Sequence, residues 1–364
     1  MTPSDTLPIL RPRTAEEVSE AIRGHEKVLP IGAGTKPALA ASPAGCVALC
    51  MGAISGIVEY EPGEYTFTAM AGTPLSEIEG TLARNGQYLP FDPPFAERGA
   101  TLGGTLAAGL SGPGRHRYGG VRDFILGVRF VTGAGEIARG GGKVVKNAAG
   151  FDLPKLFVGS LGRLGAIVEA TCKVFPHPRA TATLLAATGD LAAGLSAVSR
   201  LAASPFDVEA LELDSKGTLA VRLGGAPETF ADRLGRLEQF IGGRAERFEG
   251  AGDAALWREL QPRLPAVESN LLVKVPVTLS AIPELDRLLA AADARRRYSA
   301  GGNVAWITWI GGVAELDALL RSRGLAGLVL AGPSPAPLIG SVRGEGFRRR
   351  VKSALDPEGR FPDY

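Results

Sequence analysis

Three glycine-rich segments follow one another in the first half of the chain: IGAGTK at Ile31–Lys36, ATLGGTLAAG at Ala100–Gly109, and KNAAGFDLPKLFVGSLGRLGAI at Lys146–Ile167. Glycine lacks the Cβ that holds a ligand off the main chain, and it reaches backbone angles that other residues avoid. Each segment can therefore bring bare N–H groups to phosphate oxygens. One such loop is a common turn. Three in succession constrain the fold to bring them together, and they read as a cradle for one dinucleotide.

The chain has 364 residues, beyond the ~250–300 at which a single core usually stops growing, so two domains are expected. Lys and Arg number 40 against 38 Asp and Glu, a formal charge of +2 that gives no electrostatic footprint for nucleic acid or an anionic membrane. The three cysteines, Cys46, Cys50 and Cys172, are too few and too irregularly spaced for a disulfide framework, and no neighbouring Cys or His completes a zinc site. A reducing cytoplasm is the expected location. The opening MTPSDTLPILRPRTAEE has neither the apolar core nor the small-residue cleavage site of a secretory signal. Two uncharged stretches, Pro37–Val58 and Gly324–Val342, approach the length of a membrane span, but repeated proline and glycine make them buried strands and turns instead.

Thr14-Ala-Glu-Glu17 reads as a capping box that opens a helix over Ala15–Arg23, with Val18 and Ile22 on its apolar side. Strands are expected at Lys27–Ile31, Cys46–Met51, Gly56–Tyr60 and Thr66–Ala71, with a helix after Thr73-Pro74 that carries Leu75, Ile78 and Leu82. Ile125–Thr132 turns through Gly133–Gly135 into a hairpin return, and Ala166–Val174 ends the unit. Beyond Pro178 the glycine loops cease. Strand 181–188, helix 191–203, strands 208–213 and 218–223, helix 228–241 and strand 244–248 follow in the β-α-β-β-α-β order of a ferredoxin-like unit. Further segments include Ile282–Ala294, Asn303–Trp309 and a basic helix at Gly346–Leu355. The predicted architecture is α+β, with a domain over residues 1–177 and a ferredoxin-like α+β domain over 178–364.

Taken alone, Gly32, Ala33 and Gly34 form either an anion nest, with the Thr35 hydroxyl as a further donor, or an ordinary tight turn. The G-x-G-x-x-G order of a nicotinamide-binding strand-helix turn is absent after Ile31. Gly103-Gly104 opens an Ala/Leu stretch. Either the free N–H groups of a helix N-terminus serve an anion there, or the glycines serve packing. The small residues of GSLGRLGAI permit a flat ring to lie against main chain.

The series IGAGTK, PFDPPFAERGATLGG, YGGVRDFILGV and KNAAGFDLPKLFVGSLGRLGAIVEATCKVFP resembles the FAD-binding domain of the vanillyl-alcohol oxidase (PCMH-type) family. KNAAGFDLPKLFVGSLGRLG is most similar to the E subunits of bacterial glycolate oxidases (glycolate dehydrogenases). The resemblance implies a two-lobed FAD domain followed by a smaller cap. It further implies a role in oxidising glycolate or another 2-hydroxy acid beside a larger FAD-containing subunit and an iron–sulfur subunit, with contact to a membrane only through those partners. Carried over, it assigns Ile31, Gly32, Ala33, Gly34, Thr35 and Lys36 to the pyrophosphate loop. Thr101, Leu102, Gly103 and Gly104 fall in the second phosphate- and flavin-contacting stretch. Gly159, Ser160, Gly162, Gly165, Ala166 and Ile167 fall in the segment along the adenosine and ribityl part. Covalent attachment in this family uses a histidine in or near the first loop, whereas the histidines here are His25, His116 and His177, so non-covalent FAD is expected.

Residues 178–364 contain neither histidine nor cysteine, which precludes a metal site of the usual N/S type there and leaves substrate oxidation on this chain open. Catalytic residues are not assigned. A self-sufficient flavoenzyme for another hydroxy acid and a non-catalytic assembly subunit remain alternatives. Arg115-His116-Arg117-Tyr118 lies either near the reacting edge of the flavin or in a solvated loop. Lys146, Asn147 and Asp152 either face the pyrophosphate or cap their loop. The arginine runs Arg295–Arg297 and Arg348–Arg350 are either exposed helix-end charges or a dock for an acidic partner. Trp306 and Trp309, in strand alternation, point to core or subunit contact.

Overall fold

The computed structural model of the chain describes residues 8–40, 45–142 and 152–364. The first half is built from β1 (Ile9–Leu10), α1 (Ala15–Gly24), β2 (Val28–Ile31), β3 (Val47–Cys50), β4 (Ile57–Glu61), β5 (Thr66–Met70), α2 (Leu75–Ala83) and β6 (Gln87–Tyr88). It continues with α3 (Leu102–Ala108), α4 (Arg115–Tyr118), β7 (Ile125–Val131), β8 (Ile137–Gly141), α5 (Leu153–Phe157), β9 (Ala166–Lys173) and β10 (Phe175–Pro176). One lobe holds the parallel sheet β1-β3-β2, and the other holds the antiparallel sheet β4-β5-β9-β7-β8. Thr14 caps α1 by accepting from Glu17 N–H at 3.1 Å, while the Glu17 carboxylate reaches back to Arg13 N–H, one residue before the position a strict capping box uses. Val18 and Ile22 are fully buried in the core that joins α1 to the parallel sheet.

The second half contains β11 (Ala180–Ala187), α6 (Leu191–Ala202), β12 (Val208–Asp214), β13 (Thr218–Gly225), α7 (Phe230–Ile241) and β14 (Arg244–Glu249). These are followed by α8 (Gly250–Glu259), β15 (Leu271–Pro276), α9 (Ile282–Ala291), β16 (Arg295–Ser299), β17 (Val304–Trp309), α10 (Val313–Ser322), β18 (Ala326–Ala331), β19 (Leu338–Gly340) and α11 (Glu345–Leu355). The order β14-β11-β13-β12 is the ferredoxin-like unit read from sequence. Elements β15 to β18 repeat it with the order β16-β17-β15-β18, and the two units join edge to edge where Leu213 faces Tyr298. The result is one nine-stranded sheet. The second unit escaped the sequence reading because its edge strand RRRYS carries no apolar alternation.

The two faces of this sheet have different partners, as the two-residue period of a strand dictates. In β15, Leu271, Val273 and Val275 pack on the helices of the second domain, whereas Leu272 joins Trp306, Leu330, Phe91 and Leu106 in a core shared with the first domain. Trp306 is thus a domain-contact residue, and Trp309 is a core residue on the helix side.

The end of the chain leaves the sheet and returns to the first domain. Lys352 Nζ donates to Arg163 O at 2.8 Å and Phe361 O at 2.7 Å and pairs with the buried Asp356, whose oxygens also accept from Arg360 and Phe361 N–H. Val28 N–H donates to Arg360 O, and the Phe361 ring is buried beside Val18 and Ile22. Breaking a buried pair leaves the surviving charge without compensation. Lys352→Met is therefore expected to destabilise by about 3–5 kcal/mol, measured by urea unfolding followed by circular dichroism. Arg236→Ala, which removes an exposed pair with Asp232, is expected to cost under about 1 kcal/mol.

Candidate functional site

Strand β2 is held by β3 as far as Ile31 opposite Cys50, and the chain then bends through Gly32–Lys36 until Leu39 N–H returns to Lys36 O. Gly34 takes φ +69°, a left-handed angle that suits glycine. Among the described residues, no group accepts from the N–H of Gly32, Ala33, Gly34 or Thr35. Four successive amides are thus open at one loop, which is the donor set of an anion nest.

The loop lies against α3 because both sides lack side chains at the contact. A Cβ on Gly32 would stand 2.5 Å from Thr101 Oγ1 and 3.7 Å from Gly104 Cα. Thr101 is held in place as the cap of α3, accepting from Gly104 N–H at 3.3 Å. The third segment hangs on the other end of the same helix. Gly159 N–H donates to Leu106 O at 3.0 Å and Leu161 N–H to Ala107 O at 2.8 Å, which satisfies carbonyls that a helix end leaves open.

These three walls enclose a continuous cleft. One part, of about 640 Å³, is lined by Gly32–Lys36, Leu39, Ala108 and Leu161. The other, of about 340 Å³, is lined by Met51, Ala71, Gly103, Gly165 and Ile167, and both parts share Ile31, Gly32, Thr101, Gly104, Ala107 and Gly162. Leu102 and Ala166 sit in the cores behind the walls. Gly159 and Ser160 face a separate pocket on the side of α11. Lys146 and Asn147 lie outside the described residues, and Asp152 pairs with Lys155 at 2.6 Å.

At two places the structure decides between alternatives that the sequence left open. The amides at the start of α3 are not free: Leu102 N–H donates to Thr73 O, Gly103 N–H to Ala71 O and Gly104 N–H to Thr101 Oγ1. Gly103 is required by packing instead, since a Cβ there would meet the Ala71 methyl at 2.7 Å. The Arg115–Tyr118 stretch is not a solvated loop. It forms α4, which docks on β12, where Arg117 pairs with Asp207 and Glu209. Tyr118 packs edge-on to Tyr88 and Phe175, and burial pushes the His116 imidazole below its ordinary pKa.

One buried cation lines the cleft and a second is tied to the helix end behind its wall. Lys36 bonds Thr35 Oγ1 at 3.0 Å, and burial pushes its ammonium down to about 8. Lys274 of β15 donates to Gly109 O, the residue after Ala108 of the cleft wall, at 3.0 Å. Burial, with Arg115 adding repulsion, pushes it down to about 8. The sequence reading missed Lys274, although a single charge inside the apolar run LLVKVPV is a visible signal. At the domain seam a polar pocket of about 410 Å³ gathers Tyr88, Asp92, Tyr118, His177, Glu209 and Arg222. Asp92, at φ +46°, accepts from Gly114 N–H at 2.8 Å, and burial raises its carboxyl to about 6.

The description "FAD binding domain" fits residues 7–141 by family match. Over 169 residues the chain is 46% identical to the glycolate oxidase subunit GlcE of Escherichia coli (strain K12), a match covering 46% of this chain and 48% of that protein. Over 218 residues it is 31% identical to the glycolate oxidase subunit GlcD of Bacillus subtilis (strain 168), covering 58% and 46%. A D-2-hydroxyglutarate dehydrogenase of Xanthomonas citri pv. viticola is 32% identical over 187 residues, covering 50% and 39%. The chain thus spans about half the length, or less, of these curated relatives. A solved alkyldihydroxyacetonephosphate synthase superposes on 96% of this chain and 74% of its own with a TM-score of 0.66 at 17% identity, a likeness of fold alone. The open amides and side-chain-poor walls fit a diphosphate and a flat ring system. Residues 7–141, which carry the first two glycine segments of the cradle, match the FAD binding domain family, and the match together with the similarity to GlcE supports FAD as the cofactor.

Proposed function

We propose that the chain is the FAD-carrying subunit of an assembly that oxidises a 2-hydroxy acid, glycolate first among candidates. Its partners would be a larger FAD-containing subunit and a subunit with iron–sulfur clusters. The observation that carries this reading is the run of open amides at Gly32–Thr35 inside a cleft of glycine and alanine, together with the similarity to GlcE. The amides of Gly32, Ala33, Gly34 and Thr35 and the Lys36 ammonium hold the diphosphate. Thr101, Gly104, Gly162, Gly165 and Ile167 line the path of the remaining cofactor.

FAD supplies a carrier that takes up two electrons and can release them singly. The chain's own residues do the rest. Gly32 and Gly104 let the walls close, Lys36 balances the diphosphate charge, and Lys274 fastens the second domain's sheet to the end of α3. Residues 178–364 offer no imidazole, and we assign substrate oxidation in the assembly to the larger subunit, with this chain as a relay. The proposed division places the FAD domain in residues 1–177 and the cap in 178–364, with α11 and the tail folded back. No helix among the described residues is long and apolar enough to cross a membrane, and we place any membrane contact on the partner subunits.

An absorbance spectrum of the isolated chain tests this reading. A yellow protein whose flavin is released by denaturant, unbleached by anaerobic glycolate but reduced when the companion subunits are added, is expected. Bleaching of the isolated chain would assign oxidation to this chain itself. A colourless protein that takes up no FAD even with its companions would overturn the proposal.

Gly32→Val puts atoms where Thr101 Oγ1 stands, so FAD affinity is expected to fall at least about tenfold, by roughly 1.4 kcal/mol or more, with the circular dichroism spectrum retained. Gly34→Ala meets open space and strains only the left-handed angle, at roughly 1–2 kcal/mol.

Lys36 sets the pH dependence. Its folded pKa of about 8 lies below the ordinary 10.5. The cofactor-free fold therefore binds fewer protons than the unfolded chain between these values, and its stability rises with pH across that window. Affinity for the anionic diphosphate moves the opposite way, weakening as pH climbs through about 8 and the ammonium is lost. Flavin fluorescence titrations should show this slope in the native chain, and Lys36→Met should bind more weakly at neutral pH and without the slope.

A further inference from the structure

The two arginine runs, alike in sequence, have different fates. In Arg295–Arg297, on β16, Arg296 grips Asp286 with two bonds of 2.7 and 2.9 Å, and Arg297 pairs with the buried Glu212 at 3.2 Å. Two of the three are thus spent inside the second domain, and Arg295 is exposed. In Arg348–Arg350, on α11, no arginine has a carboxylate partner among the described residues, nor does the nearby exposed Arg343. Arg348 lies over the Tyr364 ring at 5.3 Å, with its Nε buried and unpaired.

Arg348 lines a pocket of about 590 Å³, walled by Leu156 and Leu164 of the first domain, Leu338 of β19, and Phe347 and Val351 of α11, while Arg349 and Arg350 on the same helix and Arg343 just before it are exposed to solvent outside that lining. Two features mark it as unfinished. Phe347 is 59% exposed beside it. Ser160, only 2% exposed, lines the pocket with a buried hydroxyl that has no hydrogen-bond partner, a state that native interiors avoid. The exposed carboxylates on the same helix and tail are Glu345, Glu358 and Asp363, and Glu358 is paired with Arg360.

We infer that the pocket between α11 and the Leu156–Leu164 segment is a docking site for an acidic segment of a partner chain. One large apolar side chain of that segment enters beside Phe347 while its carboxylates meet Arg343, Arg348, Arg349 and Arg350. The charge excess selects an acidic occupant, and the recessed apolar walls select a single anchor, the arrangement in which a few buried residues carry most of the binding energy. An anionic lipid surface fits less well. Membrane-surface helices bury a broad apolar face, whereas Val351 and Leu355 of α11 are turned against the core and leave Phe347 as the exposed apolar side chain of the helix. The inference rests on the proposed function only for the existence of partner chains.

The test uses the full FAD-loaded chain with two probes: a fluorescein-labelled peptide of one tryptophan flanked by glutamates, and vesicles of phosphatidylglycerol with phosphatidylcholine. Expected are salt-sensitive peptide binding, a loss of roughly tenfold or more on Arg348→Glu with Arg349→Glu and Arg350→Glu combined, a similar loss for Phe347→Asp, and no change for Arg295→Glu. A lysine-flanked control peptide should not bind. In the assembly purified with its companion subunits, the triple variant should release a companion at lower salt than the native chain, as read by light scattering on a sizing column. Flavin absorbance, read in every sample, separates this outcome from failure of the functional proposal, because the triple variant should stay yellow. Peptide binding unaffected by the triple substitution, or recruitment of the chain to the vesicles but not to the peptide, would overturn the inference.

Discussion

The approach of the Gly32 loop to the capped start of α3 is the contact on which the site depends. Its closeness is a steric fact: Thr101 Oγ1 occupies the position that a side chain on residue 32 would need. Because the same hydroxyl caps α3, the helix is anchored by the group that limits the loop. The loop's amides are then left facing the cleft with no acceptor among the described residues. Placing the donors in advance lowers the ordering cost that a bound anion would otherwise impose.

The geometry propagates outward from α3. Its N-terminal amides are tied to Ala71 and Thr73, its C-terminal carbonyls hold the Gly159–Leu161 turn, and Gly109 O receives the Lys274 ammonium from the second domain. One short helix therefore locks three glycine segments and both domains in register. The Lys352–Asp356 cluster does comparable work at the far end, where the returning tail closes the core over α1. A seven-residue helix would be marginal alone, and its order comes from these attachments.

Much of the fold was legible in the sequence. Largely apolar strands buried on both faces, such as β9 and β12, and helices with apolar spacing, such as α1 and α7, fall within a few residues of expectation, because local apolar content and burial agree there. The first ferredoxin-like unit was legible for the same reason, and its second copy was obscured where RRRYS trades apolar alternation for ion pairs. At the site, the sequence pointed to the segments but not to how their groups are used. Gly103 and Gly32 look equivalent as letters, yet one faces Ala71 across a packed contact and the other opens a row of amides. That difference is set by residues some thirty to seventy positions away in the chain, and no local pattern carries it.

The same limit explains the charged residues. Whether an arginine is spent or free depends on what tertiary structure brings to it: Asp286 and Glu212 reach the run on β16, and among the described residues no carboxylate reaches the run on α11. Lys36 and Lys274 illustrate the energetic consequence. An ammonium placed where water is scarce, without a carboxylate, is held in its charged form less firmly, and burial pushes both down to about 8 from their ordinary value. At Lys36, which lines the cleft, such a placement destabilises the protein until an anion arrives, and the binding free energy of that anion then includes relief of the burial penalty. A cradle built this way discriminates by charge as well as by shape, since a neutral ligand of the same outline would fill the cleft and leave the penalty in place.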